Sequence, residues 1–172
     1  LRTLGHLRGI DPGFDAHELA MVSLLLPDDL RRDPRAMVTF YDRLLPRIEA
    51  LPGVLAASPT HVGPGSGTVG LSAPMRFEGQ TADAAKTNPW STWEPIVPSY
   101  FRTLGVKLVN GRLFTDADAR DRAPVAIVTQ SVADRYWPGE SPIGKRLQFV
   151  AAPDWPWVTV GGVVADTRYR DL

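Results

Sequence analysis

Apolar side chains recur at three- and four-residue spacing over residues 37–51, and polar or charged side chains lie between them. A period close to 3.6 residues predicts an amphipathic helix. Asp33 can cap this helix and Pro34 suits its first turn, whereas Pro46 inside the pattern predicts a kink. This is the clearest helix that the sequence predicts.

Two apolar segments flank this helix. Residues 19–26 (LAMVSLLL) form a nearly continuous apolar run that ends at Pro27, and residues 54–62 are strand-like as well. A short continuous apolar run is typical of a strand that is buried on both faces. We therefore predict a β-α-β unit over residues 19–62, with a right-handed crossover if its strands are parallel.

The glycine-rich segment GPGSGTVG, residues 63–70, separates this unit from a region of shorter elements. Its composition predicts a flexible loop and a boundary between two lobes. Beyond it, strand-like patterns cover residues 74–78, 90–97, 106–109, 125–129, 146–150 and 157–165, and short helices are predicted at 98–104 and 130–136. The sequence thus predicts an α+β fold with a β-α-β lobe and a smaller, strand-rich lobe.

Composition narrows the class of protein further. A chain of 172 residues can bury roughly 70% of its extended surface without disulfides, and this chain has no cysteine. Nineteen basic residues balance nineteen acidic ones, so no basic field favours nucleic acid as a partner. The chain begins at Leu1 rather than at methionine, and we expect it to be a fragment or an engineered piece of a longer protein.

One uncharged stretch, residues 51–75, is long enough to span a bilayer. Its many prolines and glycines would break a spanning helix. The other apolar runs, residues 19–26 and 157–165, are too short for that role. We therefore predict no membrane-spanning segment within the chain.

Candidate ligand sites are weak. Gly65, Gly67 and Gly70 match a dinucleotide fingerprint, but no helix follows them to receive a pyrophosphate. The histidines lack the spacing of a zinc site, since they are scattered along the chain as His6, His17 and His61. No serine lies in a nucleophile elbow. We predict that the chain is not an enzyme and that it holds neither a cofactor nor a metal.

An acidic cluster follows Thr115 and consists of Asp116, Asp118 and Asp121. A calcium loop would need a turn glycine and a bidentate glutamate, and here Arg120 stands at a position that a ligand would occupy. Thr115 with Asp118 three residues later is instead typical of a capping pair. The sequence therefore favours a helix start over a calcium site.

The tryptophans are the most conspicuous aromatic residues. Trp155 and Trp157 would share one face of a strand and could pack together, whereas Trp90 and Trp93 would face opposite sides. Such side chains either pack in a core or form a hot spot that binds a partner. Both interpretations stay open at this point.

Four motifs resemble one known family. IVPSYFRTLGVKLVNGRLF, residues 96–114, resembles the most recognisable signature of the MacB-like periplasmic core domain, which occurs in FtsX-like permeases. Residues 122–149 and 158–172 resemble its next blocks. IDPGFDAHEL, residues 10–19, resembles the segment after the first membrane helix of these permeases, especially the duplicated orphan permeases of bacteria. The motifs occur in the family's order and span nearly the whole chain.

This resemblance implies a domain of an ABC transporter permease that lies between the first and second membrane helices and faces the periplasm or the outer surface. It implies a segment following a membrane helix over residues 1–18, a porter-like β-α-β lobe over 19–62 and a strand-rich lobe called Sabre over 63–172. The implied partners are the permease's own transmembrane helices, a cytoplasmic ATPase subunit or domain, and a periplasmic adaptor or second permease copy.

The family usually continues beyond the last motif with a further strand-helix-strand that completes the porter lobe, whereas this chain stops at Leu172. We therefore expect the porter lobe to be incomplete. An incomplete lobe would leave an apolar surface uncovered near the first β-α-β unit, and such a surface predicts self-association.

In this family the domain is thought to convert movement of the membrane helices into movement outside, which requires rigid lobes and a hinge. We expect the hinge at residues 63–70. We expect a structural corner formed by Phe101, Leu104, Gly105, Gly111 and Arg112. The alternative is an extracytoplasmic module that binds a peptide, lipid or sugar between the lobes through Trp155 and Trp157. An enzyme would instead need a pocket with perturbed acids or bases.

Overall fold

The computed structural model describes residues 13–60, 71–121 and 124–167, without the side chain of Arg120. The helices in these ranges are α1 (Asp28–Arg32), α2 (Pro34–Glu49), α3 (Ala82–Ala85), α4 (Tyr100–Leu104), α5 (Asp116–Asp121) and α6 (Gln130–Tyr136). The strands are β1 (Leu71–Phe77), β2 (Trp90–Trp93), β3 (Leu108–Gly111), β4 (Val125–Thr129), β5 (Arg146–Phe149) and β6 (Val158–Val164). The predicted α+β class is confirmed.

The strands form one sheet in which β6 has the most neighbours. It pairs in parallel with β4 from Thr159 to Val164. It pairs antiparallel with β5 near its start and with β3 near its end. The sheet continues from β5 to β1 and then to β2, both antiparallel. A displacement of β6 would therefore act directly on three other strands.

Two clusters of buried side chains hold this sheet. The larger joins β1, β4, β5 and β6 to α6, and it contains Met75, Phe77, Val128, Ala133, Trp137, Leu147, Val160 and Val163. The smaller joins α4 to the end of β6 and contains Tyr100, Phe101, Leu104, Val106 and Val164. Burial of apolar side chains is the main stabilising contribution to folding. The two clusters therefore identify the part of the chain that stabilises the fold.

Helix α2 forms as the sequence predicts. The side chain of Asp33 accepts hydrogen bonds from the backbone N–H groups of Arg35 at 2.9 Å and Ala36 at 3.3 Å. Pro34 occupies the first turn and Pro46 lies inside the helix. The cap satisfies donors that the start of a helix leaves without intrahelical partners. No side chain of α2 is buried, so the helix packs only loosely on the described residues.

The two strands predicted beside α2 do not form, and this part of the prediction is wrong. Residues 19–26 and 54–60 contain no strand, and residues 61 and 62 lie outside the described ranges. Val22 is 79% exposed and Leu25 is fully exposed. An apolar run becomes a buried strand only where neighbouring strands pair with it, and the described residues supply none here. Most large apolar side chains of residues 21–25 are therefore exposed.

The other elements agree more closely with the sequence. Strand β4 and helix α6 have the predicted bounds, whereas β3 begins two residues later than predicted. Strand β3 begins later because the backbone N–H of Val106 donates to the carbonyl of Phe101 at the end of α4 and therefore does not pair with another strand. The predicted hinge at residues 63–70 lies outside the described residues. The division into a porter-like and a Sabre-like lobe stays a prediction.

Candidate functional site

The end of helix α4 is closed by a Schellman motif. Gly105 adopts a left-handed conformation with φ of 66°, and its N–H bonds to the carbonyl of Arg102 at 3.3 Å. The N–H of Val106 bonds to the carbonyl of Phe101 at 3.0 Å. This pair of bonds is the pattern that ends many helices at glycine. It reverses the chain into β3 while Phe101 and Leu104 stay buried beneath the turn.

The second half of the predicted corner lies at the other end of β3. Gly111 has φ of 73°, and a Cβ placed there would lie 2.6 Å from Cδ1 of Ile143 and would collide with the carbonyl oxygen of Gly161. The N–H of Arg112 donates to that same carbonyl at 2.9 Å. Because the backbones of β3 and β6 meet so closely, only glycine fits at this position. The five predicted residues thus form two turns, one at each end of β3, rather than one corner.

Arg112 connects the second turn to the start of α5. Its Nη1 and Nη2 atoms donate to the two carboxylate oxygens of Asp118 at 2.6 and 2.8 Å. The hydrogen bonds from Arg112 are the main reason that the pKa of Asp118 lies well below its usual range. Hydrogen bonds from the backbone N–H and the hydroxyl of Thr115 lower this pKa further. The N–H of Asp118 donates back to the hydroxyl of Thr115, which completes the predicted capping pair. Asp118, the central carboxylate of the acidic cluster, therefore has Arg112 as a structural partner.

A segment near the start of the chain lies across the first turn. We call residues 13–19 the leading segment. The N–H of Asp15 donates to the carbonyl of Leu104 at 2.9 Å. Phe14 and Leu19 pack against the cluster that contains Tyr100 and Phe101. The leading segment is thus attached to the turn by the backbone hydrogen bond from Asp15 to Leu104 and by apolar contacts.

The same segment touches the chain where it leaves the sheet. A Cβ on Gly13 would collide with the carbonyl oxygen of Asp166 and would lie 3.1 Å from Cα of Thr167. Asp166 lies two residues after the end of β6. Its carboxylate accepts hydrogen bonds from the backbone N–H of Ser131 at 3.1 Å and from the hydroxyl of Ser131 at 2.7 Å. These bonds join the end of β6 to the start of α6. Sequence reasoning missed this junction, because its partners are distant along the chain and belong to no local motif.

The two candidate tryptophans have different partners. The guanidinium groups of Arg76 and Arg146 lie 5.1 and 5.5 Å from the ring of Trp157, within cation–π distance. The ring of Trp155 instead meets Phe149 edge-on at 5.5 Å and is 56% exposed. Both residues precede β6, which begins at Val158, so the alternation of a strand does not place them. The expected shared face is therefore not observed.

Arg146 also belongs to a short ion pair at the start of β5. Its Nη2 donates to the carboxylate of Glu78 at 2.8 Å, and this hydrogen bond holds the pKa of Glu78 below its usual value. The side-chain amide of Gln148, which is buried, donates to the carbonyls of Pro153 and Trp155 at 2.9 Å each. These contacts fix the loop that carries both tryptophans. The loop is therefore held from inside while the ring of Trp155 faces solvent.

Metal-binding and membrane-spanning features are absent from the described part of the chain. No group of three or more His, Cys, Asp or Glu side chains in it could hold a metal ion. None of its helices is both long and apolar enough to span a bilayer. His17 is exposed, whereas His6, His61 and the glycines of the dinucleotide-like pattern lie outside the described ranges.

Comparison with known sequences points to one family. The sequence model of the MacB-like periplasmic core domain matches residues 10–171. The macrolide export ATP-binding/permease proteins MacB of Neisseria gonorrhoeae and Neisseria meningitidis serogroup B are each 31% identical to this chain over 96 residues. The aligned part is 56% of this chain and 14% of each relative, so the chain spans only a small part of their length.

One solved structure shares the fold. The extracellular domain of the noncanonic ABC-type transporter YknZ from Gram-positive bacteria superposes with a TM-score of 0.51 at 18% identity, covering 83% of this chain and 65% of that domain. The periplasmic region of MacB from Actinobacillus actinomycetemcomitans gives a TM-score of 0.49 at 22% identity, covering 71% of this chain and 49% of that region. Because the family's sequence model matches almost every residue, the chain belongs to the MacB-like periplasmic core domain family, whose members are periplasmic domains of ABC transporter permeases.

Proposed function

We propose that this domain relays movement of its permease's membrane helices to the outside of the membrane. The observation that carries the proposal is the contact between the leading segment and the end of β6, at Gly13 and Asp166. The leading segment thus lies beside the stretch of chain that follows β6, the last strand of the sheet. A pull on either one therefore acts on the same point of the domain.

The connections around that point support transmission. The end of β6 is joined to α6 through Asp166 and Ser131, and β6 itself pairs with three strands. The leading segment is joined to the turn after α4 through Asp15 and Leu104. Hydrogen-bonded sheets and packed cores deform little, so they move as rigid bodies. Movement at the junction would thus displace the sheet as a whole.

The proposal includes partners. The MacB relatives are named as ATP-binding/permease proteins for macrolide export. By analogy, we propose that this domain acts with its own transmembrane helices and with a cytoplasmic ATPase subunit or domain. Contact with cargo, with a periplasmic adaptor or with a second permease copy belongs to the same proposal. The domain itself is given no catalytic role and no cofactor.

The relay can be tested in the full-length permease with two glycine substitutions. Gly13→Ala would force the leading segment away from Asp166, whereas Gly53→Ala has the same left-handed strain with nothing within 4 Å of the added Cβ. Coupling energies between distant sites correspond to changes of roughly five- to 150-fold. We expect Gly13→Ala to lower transport at least about fivefold relative to Gly53→Ala, with unchanged ATP hydrolysis in the absence of cargo. Equal transport by both variants would exclude the relay through this junction.

A further inference from the structure

Asn110 lies in β3 immediately before Gly111, the glycine that ends this strand. Its side-chain carbonyl oxygen Oδ1 accepts a hydrogen bond of 2.8 Å from the backbone N–H of Gly111. Short polar side chains such as asparagine often fold back onto the neighbouring backbone in this way. The contact places the side-chain amide carbon Cγ, which carries Oδ1, beside the backbone nitrogen of the next residue.

This contact brings together the two atoms of an intramolecular reaction that asparagine undergoes in water. Without its proton, the backbone nitrogen of the following residue is a nucleophile toward Cγ. Holding two reacting atoms next to each other raises the rate of such a reaction by orders of magnitude. The following residue here is Gly111, which has no side chain to crowd its nitrogen, and both residues are exposed to water.

The position in the sheet leaves this end of β3 room to react. Strand β3 pairs with β6 at one edge, and no strand of the described ranges pairs with its other edge. Gly111 is the last residue of the strand. The ends of edge strands open locally at a much smaller free-energy cost than global unfolding requires. The backbone at Asn110 therefore reaches the geometry of attack while the domain stays folded.

The other asparagine of the chain, Asn88, provides an internal contrast. It precedes Pro89, whose backbone nitrogen has no proton to lose. Asn88 is half-buried, and its side-chain nitrogen Nδ2 donates to the carbonyl of Met75 at 2.7 Å and to Oε1 of Gln80 at 2.8 Å. The amide of Asn88 is therefore held in place beside a nitrogen that cannot attack it.

We propose that Asn110 is a site of spontaneous deamidation in the folded chain. Hydroxide removes the proton from the backbone nitrogen of Gly111, and this nitrogen forms a bond to Cγ of Asn110. The C–N bond of the side-chain amide then breaks, and ammonia leaves with a proton taken from water. Water opens the resulting succinimide ring at either of its two carbonyl carbons, which gives aspartate or isoaspartate at this position. The reaction consumes one water molecule and needs neither an oxidant nor a reductant.

The isoaspartate product would disturb the turn at the end of β3. In isoaspartate the main chain runs through the former side chain and gains one methylene group just before Gly111. The space around Gly111 is full, because an added Cβ would collide with the carbonyl oxygen of Gly161. That carbonyl also accepts the hydrogen bond from the N–H of Arg112 at 2.9 Å. Isoaspartate would therefore weaken the pairing of β3 with β6, whereas aspartate keeps the normal backbone. This inference does not depend on the proposed relay.

The test follows the purified 172-residue chain in mildly alkaline buffer, below its melting temperature, with folding monitored by circular dichroism. Peptide mapping by mass spectrometry locates each amide that becomes an acid, and an isoaspartyl methyltransferase assay measures isoaspartate. We expect Asn110 to form both products at least about tenfold faster than Asn88 loses its amide. The rate at Asn110 should rise with pH, because hydroxide starts the reaction.

Two variants separate the chemistry from its structural effect. Asn110→Gln should form no isoaspartate, since its longer side chain would have to close a larger and less favourable ring. Asn110→Asp has the side chain of one product on a normal backbone, so freshly purified it should melt close to the unmodified chain. The aged chain should show an additional transition at lower temperature, with an amplitude that follows the isoaspartate content.

Three results would overturn the proposal. The first is a folded chain that forms no isoaspartate at Asn110. The second is a loss of amide from Asn88 that is as fast as the loss from Asn110. The third is aspartate as the sole product, because isoaspartate is formed from the succinimide and not by direct hydrolysis of the amide. An aged chain that melts like Asn110→Asp would contradict the predicted weakening of the turn.

Discussion

The guanidinium group of Arg112 meets the carboxylate of Asp118 through two parallel hydrogen bonds of 2.6 and 2.8 Å. Arg112 follows the glycine turn that ends β3, and Asp118 lies in the first turn of α5. Two parallel bonds fix the relative orientation of the two groups as well as their distance. The pair thus ties α5 to the edge of the sheet.

This pair predicts a particular loss of stability in acid. The pKa of Asp118 is below its usual value in the folded chain, chiefly because of Arg112, so the folded state binds fewer protons than the unfolded state. Its contribution is present above the unfolded pKa of about 3.9 and decreases as the pH falls below it. We expect Asp118→Asn to flatten the dependence of the melting temperature on pH below about pH 4.

A double-mutant cycle checks the cause of that effect. Arg112→Gln removes the main source of the lowered pKa, so it should flatten the acid dependence as Asp118→Asn does. The double variant should then show little additional change, since both substitutions remove one interaction. Fully additive changes in the pH dependence would show that the two groups act separately.

The turn at Gly111 predicts that alanine substitution there lowers stability more than alanine substitution at Gly139. Gly111 and Gly139 have φ of 73° and 76°, but only at Gly111 would a Cβ collide with backbone. Gly139→Ala should cost about 1–2 kcal/mol of unfolding free energy from backbone strain alone. Gly111→Ala should cost at least about 2 kcal/mol more, because β3 must move away from β6. Urea denaturation measures both, and equal costs would contradict the close approach.

The first turn predicts a dependence on the residue type at position 105. A β-branched side chain tolerates the left-handed conformation of Gly105 poorly, and a Cβ there would lie 3.2 Å from Cβ of Asp15. We expect Gly105→Val to unfold the domain, whereas Gly105→Asn should keep it folded, since asparagine tolerates this conformation. The measurement is thermal unfolding by circular dichroism, and an unchanged melting temperature for Gly105→Val would refute the structural role.

The exposed apolar residues beside α2 predict self-association. Val22 is 79% exposed and Leu25 fully exposed, and neighbouring Met21 and Leu24 are each 48% exposed. Contiguous exposed apolar surface favours association in water. The mass measured by light scattering should therefore rise with the concentration of the chain, and the double variant Val22→Ser, Leu25→Ser should suppress the rise. A monomer at every concentration would contradict this prediction.

Much of the fold follows from local sequence signals. The cap at Asp33, the capping pair of Thr115 and Asp118, and the stop at Gly105 depend on residues within a few positions of one another. Such interactions are visible in a single sequence because side chain and backbone partner are adjacent.

The remaining features depend on distant partners. The run at residues 19–26 has the composition of a buried strand, but burial requires strands that lie elsewhere in the chain. The contact of Asp166 with Ser131 likewise depends on how the sheet and α6 pack together. The prediction that Trp155 and Trp157 share a face assumed the alternation of a strand, but both residues precede β6, which begins at Val158.

The central claim is that this domain works outside the membrane as a moving part of a permease. In the full-length protein, with any other cysteines replaced, Glu18→Cys introduces one reactive thiol at an exposed position of the leading segment. A membrane-impermeant maleimide added to spheroplasts should label this thiol while the cytoplasmic membrane is intact. Labelling only after that membrane is opened would place the domain on the cytoplasmic side and contradict the account.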